Sequence, residues 1–178
     1  MKRYSLGIVQ THATQFDAPL YSRMYKHKEV ELRVYYTRPI RGTPFDPEIG
    51  RRPDWGKPKR YRSLTRQRGV INAIRFARNI ISARHNLIII SGYFPLYHLA
   101  VALYARLAGV PVGLRSDTTL ETARGGIKSF IKRCVMPTVL RIYHTGHPTG
   151  FRAREYLAYY GLAKDRQFSF PYTVDNNY

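Results

Sequence analysis

With a single cysteine, Cys134, the chain has no internal disulfide and fits a reducing compartment. That thiol is expected inside a helix, as a small buried hydrophobe rather than a reactive group. Carboxylates are almost as scarce: 11 Asp and Glu stand against 30 Lys and Arg. Between Asp54 and Asp117 there is no acidic residue at all, so every formal charge from Lys57 to Arg115 is positive. No long hydrophobic run occurs either. The longest apolar zone, residues 93–114, is broken by Pro95, His98, Arg106 and Pro111, which excludes a membrane span there. Lys2 and Arg3 are followed by too short an apolar stretch for a signal peptide, so the expectation is a soluble or peripheral protein. His27, His85, His98 and His144 have no partners at metal-ligand spacing, and no metal site is expected. Nor is there a nucleophile elbow, a Walker loop or a zinc-knuckle spacing.

What is present suits one globular domain over residues 1–178. The chain is 44% hydrophobic, which argues against disorder, and its 178 residues suffice to bury roughly 70% of the unfolded surface around one core. A net charge of +19 attracts polyanions. Both nucleic acid and an anionic membrane qualify, with each basic group near a lipid surface contributing about 1 kcal/mol, and charge alone does not separate them.

The chain alternates between two periodicities. Residues 5–9 (SLGIV) and the fully apolar 87–90 (LIII) suit central parallel strands, 31–36 alternates like another, and 111–115 and 140–144 complete the set. Helices are expected over 19–27, 69–83, 95–108, 127–140 and 149–160, with Gly109 and Gly161 as stops. In 69–83 the apolar spacing runs through Val70, Ile71, Ile74, Ala77, Ile80 and Ile81, leaving Arg75 and Arg78 outside. In 127–140 the inner side is read as Phe130, Ile131, Val135 and Val139, and Pro137 should kink or split the helix. Residues 37–61, with Pro39, Pro44, Pro47, Pro53 and Pro58, form a long irregular excursion with room for a short hairpin. Residues 167–172 read as a buried strand closed by Pro171, with a linker opening at 174–177. Strand and helix alternating with short connections predict a Rossmann-like, doubly wound, mostly parallel α/β sheet. In that architecture ligands meet the loops beyond the carboxyl ends of the strands, here 10–17, 91–94, 115–119 and 145–150.

Those loops, in that order, carry a resemblance. The matching pieces are Gln15-Phe16-Asp17-Ala18-Pro19-Leu20, Asp54-Trp55-Gly56 before Arg60-Tyr61-Arg62, and Ile90-Ser91-Gly92-Tyr93. They continue through Ala108-Gly109-Val110-Pro111-Val112, Leu114-Arg115-Ser116-Asp117-Thr118 and the Thr145-Gly146 turn leading to Arg154-Glu155-Tyr156-Leu157. Gly161-Leu162 and Pro171-Tyr172-Thr173-Val174-Asp175-Asn176 close the set. On these the chain resembles the amino-terminal, acceptor-side domain of a GT-B glycosyltransferase of the retaining family four, one half of a two-domain architecture.

The resemblance implies a carboxy-terminal donor-binding domain, absent from this chain, that holds the nucleotide-sugar donor. It implies an acceptor of the lipid-linked or cell-envelope glycan type, and a cytoplasmic protein peripheral on the inner face of an anionic membrane. The 178 residues alone should then be inactive, and no cofactor is expected in them. Two departures stand out: the first loop offers Thr11, His12 and Thr14 where many members have paired glycines, and Gly92-Tyr93 stands where a His-x-His is common. Against that background Asp117 and His12 are the catalytic candidates. Asp117 would orient an acceptor hydroxyl while Arg115 holds a phosphate or carboxylate bidentately; the structural alternative is an ion pair or a cap. Tyr93, Thr145, Gly146, His147 and Asp17 join Arg115 as substrate-binding candidates. His147 is placed in a turn opening a helix, where backbone N–H groups hold anions, or else is a surface histidine. Trp55 would stack on a sugar or pack its loop, and Gly125-Gly126 suggests a flexible loop. The alternative from a different class is a basic α/β nucleic-acid-binding module. Dispersed Tyr and Arg, without a compact aromatic platform or recognition helix, make nucleic acid the weaker partner.

Overall fold

The structure, a computed structural model, describes residues 3–12, 14, 17–37, 61–63, 69–122 and 127–173. The expectations for the 37–61 excursion beyond Thr37, for Trp55, for Gly125-Gly126 and for the 174–177 linker lie outside these residues. Six strands form one sheet in the order β3-β2-β1-β4-β5-β6, all parallel. They are β1 (Tyr4–Gln10), β2 (Val30–Tyr36), β3 (Tyr61–Ser63), β4 (Leu87–Ser91), β5 (Val112–Ser116) and β6 (Thr145–Pro148). The helices are α1 (Asp17–Lys26), α2 (Val70–Ile81), α3 (Leu96–Leu107), α4 (Ile127–Leu140) and α5 (Phe151–Tyr159). This is the doubly wound Rossmann-like sheet that the alternation predicts, with its order reversing beside β1.

Alternation along the strands divides the core in two. Val9, Tyr35, Ile88, Ile90, Val112 and Leu114 point into a large cluster with residues of α2, α3, α4 and α5. Ile8, Leu32, Val34 and Tyr36 point the other way, against Tyr21 and Leu20 of α1. β4 lies between β1 and β5 and buries Ile88, Ile89 and Ile90, which is why its sequence is an unbroken apolar run. Each such side chain contributes about 1.5–3 kcal/mol through burial. Gly109 and Gly161 close α3 and α5 at φ 72° and 98°, a backbone that other residues adopt only with strain.

Several elements depart from their expected form. α2 buries Ala73, Phe76, Ala77 and Ile80, while Val70, Ile71 and Ile74 are exposed. Both stripes have helical spacing; the small Ala73 and Ala77 set the chosen face, and Phe76 meets Tyr35 edge-on at 6.3 Å. α4 likewise turns Met136 and Leu140 inward and leaves Phe130, Ile131 and Val135 exposed. Cys134 shares that outer face and is exposed, not buried. α4 also runs through Pro137 as one helix, because a proline this near the carboxyl end removes one backbone bond with only a turn left to hold.

The strand expected at 140–144 is displaced: α4 keeps Leu140, a turn follows, and β6 begins at Thr145, paired in register with Gly113. Near the carboxyl end, Gln167 makes only an isolated bridge to Gly146, and residues 168–173 run extended without forming a strand. Phe168 N–H donates to the Gly146 carbonyl and Phe170 N–H to that of Pro148. Phe170 then packs against the α1-side core, so the segment crosses the sheet near its carboxyl edge.

Candidate functional site

The end of β1, the start of α1 and the end of β5 meet at one buried ion pair. Arg115, the second-last residue of β5, donates through Nη1 to Asp17 Oδ1 at 2.5 Å. The pair is only 4% and 3% exposed. Asp17 opens α1, where the positive end of the helix favours a carboxylate. Its second oxygen accepts from Gln10 Nε2 and Thr14 Oγ1, both at 2.5 Å. Tyr21, one helical turn beyond Asp17, donates to Gln10 Oε1 at 2.7 Å. Burial, and then the Asp17 charge, raise the Tyr21 phenol well above its usual range, so it stays a donor. Asp17, expected to contact substrate, has both oxygens committed inside the protein.

Arg115 is different. Its Nε and Nη2 are buried and have no hydrogen-bond partner among the described residues. These two nitrogens form the side of the guanidinium that grips a carboxylate or phosphate bidentately. The Phe170 ring lies 4.5 Å and the Tyr172 ring 4.8 Å from its central carbon. Tyr172 also donates its hydroxyl to Asp117 Oδ2 at 2.9 Å. Burial first, and then this bond, push the Tyr172 phenol up to about 12. Asp117 itself is exposed just beyond β5. An unpaired buried fork, a carboxylate open to solvent and two aromatic rings thus share one corner of the sheet's carboxyl edge. A buried donor without a partner costs about 1–3 kcal/mol, which makes this corner a place where a ligand would improve on the present contacts.

The other sequence candidates divide. His147 lies within β6, not in a turn opening a helix, and is buried. Its ring fills the space over Gly113, where a Cβ would come within 2.5 Å of Nε2. Thr145 Oγ1 lies 3.0 Å from His147 Nε2, and Phe168 and Phe170 flank the ring. Burial, and then the Arg115 charge, lower its pKa to about 4, so it is neutral at pH 7 and does not attract an anion by charge. Gly146 points toward Leu162 and Leu157, which leave no room for a side chain. Tyr93 packs into the large core with its hydroxyl 3.4 Å from that of Tyr156, on the sheet face opposite α1. His12 is exposed beyond β1, and no hydrogen bond among the described residues joins it to Arg115 or Asp117.

Phe170 and Tyr172 were missed. Their signal was the alternation of Phe168, Phe170 and Tyr172, which places three rings on one side of an extended chain. Among the described residues, no cluster of three His, Cys, Asp or Glu could hold a metal, and no helix is long and apolar enough to cross a membrane.

No protein-family model and no curated protein matches the chain in sequence. Solved structures do match it in shape. The S. aureus protein MnaA, solved with UDP, aligns over 100% of this chain and 49% of its own, with 17% identity and a TM-score of 0.64. UDP-GlcNAc 2-epimerase from Neisseria meningitidis, bound to UDP-GlcNAc, aligns over 93% of this chain and 45% of its own at 12% identity and TM-score 0.58. MurG from Acinetobacter baumannii aligns over 96% and 46% at 10% identity and TM-score 0.52. The chain spans about half the length of these proteins. At such identities the likeness speaks for the fold alone: this chain has the Rossmann-like α/β fold found in one half of GT-B proteins.

Proposed function

We propose that the chain is the acceptor-side half of a GT-B glycosyltransferase, of the retaining family four, acting on a lipid-linked or cell-envelope glycan at an anionic membrane surface on the cytoplasmic side. The observation that carries this reading is the unpaired fork of Arg115 beside exposed Asp117 at the carboxyl edge. A phosphate-linked acceptor would bring oxygens to Nε and Nη2, and Asp117 would accept the hydrogen bond of the reacting hydroxyl. That hydroxyl oxygen bonds to the anomeric carbon as the bond to the donor's phosphate oxygen breaks, and nucleoside diphosphate leaves with the electron pair. His12, exposed near the same edge, is the second candidate for handling the proton. Tyr172 holds the Asp117 carboxylate and caps Arg115, a positioning role. The nucleotide-sugar donor belongs to a second domain across the cleft, and no cofactor is assigned to this half.

A second reading takes its support from the epimerases among the structural neighbours: conversion of a nucleotide sugar without any acceptor. One experiment separates the two. The full product of the gene is incubated with nucleotide sugars, with and without a lipid-linked saccharide, and this chain alone is titrated with the same donors in a calorimeter. Glycosyl transfer should require the saccharide, and the 178-residue chain should transfer nothing and bind donors weakly. Tight donor binding by this chain would overturn the placement of the donor site, and sugar conversion without acceptor would establish the second reading.

A further inference from the structure

The fork of Arg115 is not the only open polar group at its corner. Ser91, the last residue of β4, keeps its Oγ buried and without a hydrogen-bond partner among the described residues. Ser91 pairs in register with Arg115, and the preceding pair, Ile90 and Leu114, faces the large core. Alternation therefore turns Ser91 and Arg115 together to the other face, the one that carries α1. The Arg115 side chain runs from β5 to Asp17 beyond the end of β1, and β4 lies between those two strands. It thus spans the end of β4, where Ser91 stands.

Three hydrogen-bonding groups are open in this one place: Arg115 Nε–H, Arg115 Nη2–H and the Ser91 hydroxyl. Their neighbours on the same face are engaged. Gln10 donates to Asp17 and accepts from Tyr21, and His147 Nε2 lies 3.0 Å from Thr145 Oγ1. The row is closed on both sides and unpaired in its middle, which buried polar groups rarely are.

The chemistry of the three groups selects a ligand. The two arginine N–H groups lie side by side and take two oxygens of one group, and a hydroxyl from the neighbouring strand takes a third. A planar carboxylate has only two oxygens; a tetrahedral phosphoryl group has more. Charge narrows the class further. Asp17 already faces Arg115 within this buried corner, so a bound anion would share one cation with a carboxylate. A singly charged phosphodiester is easier to bury there than a doubly charged phosphate monoester.

We infer that Ser91 completes with Arg115 a three-donor cradle for a singly charged phosphodiester. This rests on the proposed acceptor side of a glycosyltransferase, and it names the anionic group of the acceptor and a further residue that binds it. Phe170 and Tyr172 roof the cradle, their rings 4.5 and 4.8 Å from the Arg115 central carbon. They ride on residues 168–173, which run extended without forming a strand, so the roof opens without unpairing the sheet.

The test uses the isotope-labelled 178-residue chain and follows the Arg115 Nε–H resonance, which reports on this site alone in a chain of net charge +19. Dimethyl phosphate at neutral pH should move it saturably. It should bind more tightly than acetate, and more tightly than methyl phosphate held above its second pKa of about 6. Ser91→Ala should weaken dimethyl phosphate at least about tenfold, the scale of one hydrogen bond to a charged group, and Ser91→Thr should restore it. Ser91→Ala should not lower the melting temperature, since the hydroxyl has no partner to lose. Phe170→Ala should speed exchange of the Nε–H with water. Parent-like binding by Ser91→Ala, or tighter binding of acetate or methyl phosphate, overturns the inference. So does UDP bound more tightly than dimethyl phosphate, which would give the cradle to the donor. A melting temperature lowered in Ser91→Ala with binding intact overturns it too, because the hydroxyl would then anchor a structural water. Unchanged exchange in Phe170→Ala does the same by leaving the cradle without an entrance. Diester binding through Ser91 by a chain whose full gene product transfers no sugar would keep the cradle and lose the glycosyltransferase; transfer without diester binding would do the reverse.

Discussion

Two histidines of the sheet, His85 before β4 and His147 in β6, are each buried against a glycine, and their surroundings finish the job differently. At the amino edge His85 packs over Gly7, where a Cβ would come within 2.8 Å of the ring. Ser5 Oγ lies 2.9 Å from its Nδ1 and Tyr35 OH 2.8 Å from its Nε2, so both ring nitrogens are satisfied. Toward the carboxyl edge His147, paired with Arg115, packs over Gly113 in the same manner, yet Arg115 keeps two buried nitrogens without a partner among the described residues. A closed polar network rigidifies a core; an open one spends stability for the sake of something outside the fold. Burial of polar groups is common to both regions; what sets the proposed site apart is an unfilled donor next to an exposed carboxylate.

Acid should damage both edges alike, and this is the largest effect expected. Burial lowers the pKa of His85, His98 and His147 to about 4 from 6.5. The unfolded chain therefore binds more protons than the folded one between those values. The stabilising contribution is complete above pH about 6.5 and is lost as the pH falls toward 4, at up to the order of 1 kcal/mol per pH unit for each ring. Melting temperatures across this window should drop steeply, and His85→Gln should flatten the slope. A melting temperature constant from pH 7 to 4.5 would show that the rings are not held neutral.

Breaking the ion pair should come next and should separate the edges. Arg115→Met leaves Asp17 buried with Gln10 and Thr14 as its remaining side-chain donors among the described residues, at a cost of about 3–5 kcal/mol in denaturant unfolding. Adding Asp17→Asn should cost less than the sum of the single changes, because the pair acts as one unit. Strict additivity would mean that the two charges are not coupled.

The smallest change in stability should come from Asp117→Asn, within about 0.5 kcal/mol, since the group is exposed and the swap conserves volume. Turnover of the full gene product should nonetheless fall on the order of 10²–10⁴-fold if Asp117 handles the acceptor proton. Unchanged turnover would remove Asp117 from the chemistry and leave the corner a binding site only.

Much of this contrast was legible in the residues. Arg115 and Asp117 follow an apolar run, and a strand end in a parallel sheet places them on the ligand side before any coordinates are known. The partner of Arg115 was not legible, because Asp17 lies 98 residues away and reaches it past the end of β4. His147 was misplaced because the strand itself was: Ile142 and Tyr143 have strand-forming side chains, but helix α4 extends to Leu140 and the chain needs the next residues to turn. The short β3 was not expected at all, since Tyr61–Ser63 gains its place only by pairing beside β2.

By itself the sequence determined the class of fold, the parallel sheet, the spans of most helices and the excess of positive charge, because these follow from periodicity, glycine stops and composition, which are local. Tertiary structure decided which stripe of each amphipathic helix faces inward, since two stripes of equal period differ only in how well they fit the sheet beneath. Through that choice it put Phe130 and Cys134 outside on α4. It decided as well that Asp17 closes against Arg115 while Nε and Nη2 stay open, for hydrogen-bond satisfaction depends on groups that meet only once the chain is folded.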